Sequence, residues 1–220
     1  ALTFGSEHPL ALIKEGSGYW KYLPEGNGTR FITGYNYTPR YGAIGGVIDR
    51  FIFRPLMSWA TAWSFDCLRI WLEKGITPAI SLRLALTHSL TTLALGLVLI
   101  WHGIVPKWIA PEGGELDVMI ATGVPEAFAL PLLKATGLAE LVFGLALLFV
   151  PAWRKALLKL SMIAFPVVAS VALISQPQLI TNPFSPLSLT LCLVALGAAA
   201  LLAHENRPLA SRSIRKPSQS

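Results

Sequence analysis

The order of apolar and polar positions divides the chain into an alternating part and a helical part. Between Ala1 and Thr38 the runs LALIKE, GYWKYL and GTRFITGYNY are short, rich in aromatic and β-branched residues, and separated by Gly and Pro. In the last run Thr29, Phe31, Thr33, Tyr35 and Tyr37 fall on one face and Arg30, Ile32, Gly34 and Asn36 on the other, which is the period of a strand. Pro24-Glu25-Gly26-Asn27-Gly28 supplies a hairpin turn, so an antiparallel β-meander is expected. From about Ile48 to Lys74 the period becomes helical, with Ile52, Leu56, Trp59, Trp63, Cys67 and Ile70 on one side and Arg50, Arg54, Arg69 and Glu73 on the other. Two placements satisfy that apolar side: over the meander, or in a membrane interface, where Trp and basic residues are favoured. Pro55 is expected to kink the first turns.

Four apolar runs follow, about Leu84 to Val105, Phe128 to Val150, Ala156 to Ser175 and Phe184 to Ala203. Each is near the roughly 20 residues that span about 30 Å of hydrocarbon. Pro131 and Pro166 lie inside two of them, and a kink is expected at Pro166. The predicted fold is mainly α: a four-helix transmembrane bundle at 76–205, preceded at 1–75 by a small α+β segment and followed at 206–220 by a basic tail read as disordered.

Charge gives these helices a direction. Arg69, Lys74 and Arg83 precede the first span, Arg154, Lys155 and Lys159 fill the loop between the second and third, and Arg207, Arg212, Arg215 and Lys216 follow the fourth. The opposite side holds Lys107 and Lys134 beside the acidic Glu112, Glu115, Asp117 and Glu126. Lys and Arg are retained in cytoplasmic loops, so both ends are expected in the cytoplasm, with Trp101, Trp108 and Trp153 at the interfaces. A composition 53% hydrophobic and only 14% charged agrees with a bilayer environment. The net charge of +6 forms no basic patch interleaved with aromatics, which argues against nucleic acid. Cys67 and Cys192 stand apart without a C-x-x-C or Cys/His cluster, so they read as buried, inert thiols, and no metal site is expected. Because the chain enters directly in strand-like sequence, a preceding segment is expected.

Candidate chemistry lies inside the apolar runs. Glu140 is the foremost intramembrane candidate, since a carboxylate in mid-bilayer costs at least about 2.5 kcal/mol and needs a partner or a role. Thr136, Glu140 and Gly144 share a face, as do His88, Thr92 and Gly96. With no cation expected at its depth, Glu140 reads as protonated and bonded to Thr91 or Thr92, with water bridging onward to His88. Each of Glu140 and His88 is also readable as a satisfied bundle residue. His102 and Lys107 flank the outer end of the first span, where they read either as an interfacial His and a snorkelling Lys or as an outward-facing site. The sequence offers no catalytic triad, phosphate loop or other cofactor motif, and whether the chain is catalytic stays open.

Two resemblances extend this reading. GNGTRFITGYNYTPRYG followed by DRFIFRPLMSWATAWSFDCLRIWLE resembles the C-terminal half of the SRPBCC fold, a curved sheet around a long helix. That family often holds apolar ligands there, but its first elements are absent from this chain. WHGIVPKWI (Trp101 to Ile109), GVPEA (Gly123 to Ala127) and TGLAELVFGLALL (Thr136 to Leu148) resemble the DoxX-like family of four-helix bacterial membrane proteins. The resemblance implies a module of the bacterial cytoplasmic (inner) membrane, and some relatives serve quinone-linked complexes. The leading expectation is a non-catalytic membrane anchor or accessory subunit for a redox or lipid/quinone-related partner, the lipid bilayer being one partner and a redox protein or fused N-terminal domain another. The alternative is a quinone-linked oxidoreductase subunit using Glu140 with His88 and His102 for protons, quinone being the cofactor that this resemblance admits. A small transporter is disfavoured by the lack of inverted repeats unless the chain forms oligomers.

Overall fold

The computed structural model describes residues 2–182 and 185–214. Phe184, the expected start of the fourth span, and Arg215 and Lys216 therefore lie outside the described residues. The strands are β1 (Leu2–Gly5), β2 (Ile13–Glu25) and β3 (Gly28–Pro39), followed by helices α1 (Gly42–Ile48), α2 (Arg54–Lys74), α3 (Pro78–Ile104), α4 (Glu115–Ala121), α5 (Glu126–Phe149), α6 (Arg154–Ser175) and α7 (Pro186–Leu202). The chain separates into two compact units, one formed by residues up to Asp66 with those from Leu209 on, the other by Cys67–Pro208; the division falls inside α2.

In the first unit the strands pair antiparallel in the order β1-β2-β3. Glu25 pairs with Gly28 across a two-residue turn in which Gly26 takes φ +56°, a conformation glycine adopts without Cβ strain. LALIKE and GYWKYL, read from sequence as separate strands, contribute instead to the single strand β2. The glycines between them stay extended because β1 and β3 hold both edges, and a Cβ at Gly16 would come within 2.5 Å of the Phe4 ring. Phe31 of β3 meets Phe65 of α2 with ring centroids 4.6 Å apart, and Tyr37 meets Phe53 at 6.0 Å, so the predicted alternation of β3 does turn one face to the helix.

A π-helical turn, Asp49–Phe53, joins α1 to α2. Pro55 has no N–H to offer the carbonyl one turn earlier, and the backbone widens just before it. Asp49 is buried in this turn, accepting from Tyr37 Oη and from Arg54 Nη2 at 2.7 Å. Burial, then the hydrogen bond to Asp49, pushes the Tyr37 phenol above its ordinary pKa. In the tail that reads as a disordered extension, Asp66 Oδ2 accepts from the Leu209 N–H at 2.7 Å and from Arg212 Nη1 at 3.1 Å.

Among its described residues the second unit contains three helices long and apolar enough to cross a membrane, Pro78–Ile109, Glu126–Phe149 and Arg154–Ser175, and the shorter apolar helix Pro186–Leu202. Helix α3 begins before the expected Leu84 because Pro78 occupies its first turn after Thr77, and the backbone winds on regardless of the charge at Arg83. Pro131 and Pro166 lie within helices that continue through them. Leu95, Leu99, Leu147, Leu158, Leu193 and Ala200, drawn from four helices, make the apolar core. Outward face Leu86, Leu90 and Leu97 of α3, Leu138 and Val142 of α5, and Ile163, Val167 and Ile174 of α6, all exposed. Cys67 is buried as expected, but Cys192 lies on the outer surface of α7, since helical phase rather than residue type decides which side of an all-apolar helix faces in.

Candidate functional site

Helices α3 and α5 approach through glycines spaced by seven residues. An added Cβ on Gly103 would lie 2.6 Å from Gly137 O, and one on Gly144 would lie 2.9 Å from Gly96 O. The two helices therefore run antiparallel with Gly103 beside Gly137 and Gly96 beside Gly144, backbone nearly on backbone. This contact sets the register of the polar side chains around it.

Past Ile104 the chain winds as a π turn, Val105–Ile109, closed by Ala110 N–H donating to Val105 O at 2.9 Å. That turn carries Lys107 inward, where it is only 5% exposed. Its Nζ donates to Glu140 Oε2 at 2.8 Å and to His102 O at 3.1 Å, and pairs with Glu115 Oε2 at 2.8 Å. Gly114, at φ +103°, turns the chain so that Glu115 enters at the first position of α4, where its other oxygen lies 3.8 Å from His102 Nδ1. Burial by itself would raise the Glu115 carboxyl, but the nearby His102 and the Lys107 ammonium outweigh it and hold it below the ordinary carboxylate value. Lys134 Nζ stands 5.6 Å over the Trp108 ring beside this group.

This geometry corrects the expectation that no cation reaches the depth of Glu140. The carboxyl expected to be protonated is ion-paired with Lys107. Thr91 and Thr92 are not its partners: Thr91 Oγ1 donates to Thr87 O at 2.7 Å on its own helix, and Thr92 Oγ1 is buried with no hydrogen-bond partner among the described residues. Sequence groups His102 with Lys107 at the outer end of the span but leaves Glu140 apart from them, and it misses Glu115 as a member. The acidic loop was a signal, yet only the π turn and the bend at Gly114 bring its first helical residue to Lys107.

His88 belongs to a separate group, about 21 Å from His102 along α3 at about 1.5 Å per residue. It is 1% exposed, and its Nδ1 lies 2.9 Å from Ala200 O of α7. A carbonyl only accepts, so Nδ1 carries a proton. Its ring meets that of His204 edge-on at 5.1 Å. Burial, then the charge of Arg207, pushes the His204 imidazole below its ordinary pKa. Near this end Arg154 donates from Nε to Leu147 O at 3.0 Å and from Nη2 to Leu148 O at 2.7 Å, closing the carbonyl end of α5. Among the described residues no group of three or more His, Cys, Asp or Glu side chains is arranged to hold a metal ion.

Residues 96–198 match the DoxX-like family. Over 104 residues the chain is 48% identical to the uncharacterised membrane protein YndG of Bacillus subtilis (strain 168), and the match takes in 47% of this chain and 39% of that relative. The chain thus corresponds to well under half the length of the curated relative it matches. No solved structure matches. Together with its long apolar helices, these likenesses support an integral membrane protein, residues 96–198 of which are similar to the DoxX-like family.

Proposed function

We propose that the chain is a membrane-anchoring accessory module. Helices α3, α5, α6 and α7 form a four-helix bundle in a bacterial cytoplasmic membrane, and the sheet-and-helix unit, with its SRPBCC-like sequence, is carried on the cytoplasmic side for a redox or lipid/quinone-related partner. The observation that carries this reading is the inverted distribution of side chains. Ser81, His88, Thr92 and Lys107 are buried while Leu86, Leu90, Val142, Ile163 and Val167 face out, the arrangement expected where the surrounding solvent is hydrocarbon. Crosslinking of the intact chain in native membranes tests it, followed by identification of what is captured. Repeated recovery of one redox or lipid-handling protein supports the accessory role, whereas a chain released from membranes by alkaline carbonate abolishes the anchor.

A second reading, a quinone-linked subunit that moves protons through Glu140 and His102, is favoured by one observation. The Glu140–Lys107–Glu115–His102 group joins a carboxylate on a membrane span to a histidine about one-third exposed. Glu140→Gln keeps the size and the acceptor for Lys107 but removes the dissociable proton. Co-purified quinone, together with loss of quinone reduction in a normally inserted Glu140→Gln variant, would favour it. Quinone-free protein from quinone-replete membranes would count against it.

A further inference from the structure

Helix α2 turns two different faces outward from its axis, and only one meets the sheet. Met57, Thr61 and Phe65 line a cavity of about 230 Å³ against β2 and β3. Of the stripe that sequence periodicity identifies as the apolar face, Ile52, Leu56 and Trp59 point the other way and are 48–63% exposed, Trp63 is half-buried, and Cys67 and Ile70 are buried. Ile44 and Phe51 extend it toward α1, at 72% and 71% exposure. A unit that leaves a row of large apolar side chains uncovered from α1 to the start of α2 is presenting a binding surface.

We infer that this face of α1 and α2 lies in the interface of the membrane that α3 crosses, its occupant being the anionic headgroup and upper acyl layer of the bilayer. Two observations identify lipid as that occupant. First, α2 ends at Lys74 and α3 starts at Pro78, so only Gly75, Ile76 and Thr77 separate the amphipathic helix from a membrane span. Three residues reach at most about 10 Å, which keeps that end of α2 at the bilayer surface. Second, the charge on the exposed side has one sign. Asp49 and Asp66, the acidic residues between Arg40 and Leu72, are both buried with partners inside the unit, Arg54 being the partner of Asp49, while Arg50 stays exposed over the Phe51 ring. Trp, large aliphatic residues and an exposed Arg without an exposed acid beside it, along α1, the π turn and the start of α2, make up the composition that the headgroup region takes. The inference needs α3 to cross the membrane, and it is independent of which partner the module serves.

Site-directed spin labelling of the whole chain tests it. Cys67 and Cys192 are replaced by Ala, and the protein is reconstituted in vesicles of phosphatidylethanolamine and phosphatidylglycerol. Labels are placed at I52C and L56C, at Y22C on the sheet as an aqueous reference, and at L90C on α3 as a lipid reference. Collision with oxygen relative to a water-soluble nickel chelate should be several-fold higher at positions 52 and 56 than at 22, with depths shallower than at 90. Ratios at 52 and 56 equal to that at 22 overturn the inference while leaving the span intact if 90 still reports lipid. A water-like ratio at 90 removes the span and the inference with it. Labels at 52 and 56 shielded from both reagents, or broadened by a label on a second copy, would put protein rather than lipid on this face and equally overturn it.

Discussion

Lys107 is the residue on which the charged group depends. One ammonium faces Glu140 and Glu115 at 2.8 Å each, so Lys107→Met leaves two carboxylates without their common cation, while Glu115→Gln or Glu140→Gln each leaves one pair standing. Breaking a fully buried pair costs about 3–5 kcal/mol, but both carboxylates here are about one-third exposed, and solvent screening reduces the expected loss for Lys107→Met to roughly 1–3 kcal/mol. Thermal unfolding in detergent should rank Lys107→Met as the most destabilised of the three, and equal midpoints for all three would remove Lys107 from the centre of the group. Acid provides a second measurement. The Glu115 carboxyl is held below its ordinary pKa, so its stabilising contribution is complete above the ordinary carboxylate range and disappears as pH falls through the lowered folded value. Wild-type protein should therefore lose more of its melting temperature between neutral and strongly acidic pH than Glu115→Gln does.

Between elements, the glycine contact of α3 and α5 has the narrowest tolerance. A Cβ on Gly137 would meet Gly103 O at 2.6 Å and Lys107 Cβ at 2.9 Å, and neither atom can yield without shifting a helix. Gly137→Ala should destabilise the protein by about 1–3 kcal/mol, as overpacking does in a close-packed interior. Gly46→Ala provides the contrast, because nothing lies within 4 Å of the added Cβ and a helical Gly-to-Ala change gains up to about 1 kcal/mol. Equal melting shifts for the two variants would contradict the close approach. The tail is a second inter-element contact. Ending the chain at Pro208 removes the Leu209 N–H and Arg212 from the buried Asp66, and unpairing those hydrogen bonds should cost the first unit about 1–3 kcal/mol. Hydrogen exchange along α2 near Asp66 should then quicken; unchanged exchange there would show that the tail is not needed.

Over the whole molecule the distribution of basic residues predicts orientation. Single cysteines at Asn182, on the sparsely charged side, and at Ser213, in the basic tail, should react differently with an impermeant maleimide in intact cells, only the former being labelled. Labelling of the tail alone would invert the orientation, and labelling of both would break the assumed number of crossings. The first unit enters the same test, since it is joined to α3 on the side of Arg69, Lys74 and Arg83.

Periodicity and hydropathy were enough to find the β-meander, its Gly-Asn turn, the amphipathic helix and the apolar runs, because these are properties of short windows in which each residue's preference agrees with its neighbours'. The alternation of β3 and the inward stripe of His88, Thr92 and Gly96 were legible for the same reason. What the sequence left open required a third dimension. Counted as depth along separate helices, Glu140 lies beyond the reach of any cation. The π turn after Ile104 and the Gly103–Gly137 contact together bring Lys107 to it, and no one-dimensional count contains either. Likewise the apolar stripe of α2 was visible, but that Phe53, Met57 and Phe65 take the sheet and leave Ile52, Leu56 and Trp59 facing out was decided by helical phase after the π turn before Pro55. Sequence determined which residues seek an apolar or a charged partner; only packing in three dimensions determined which partner each one meets.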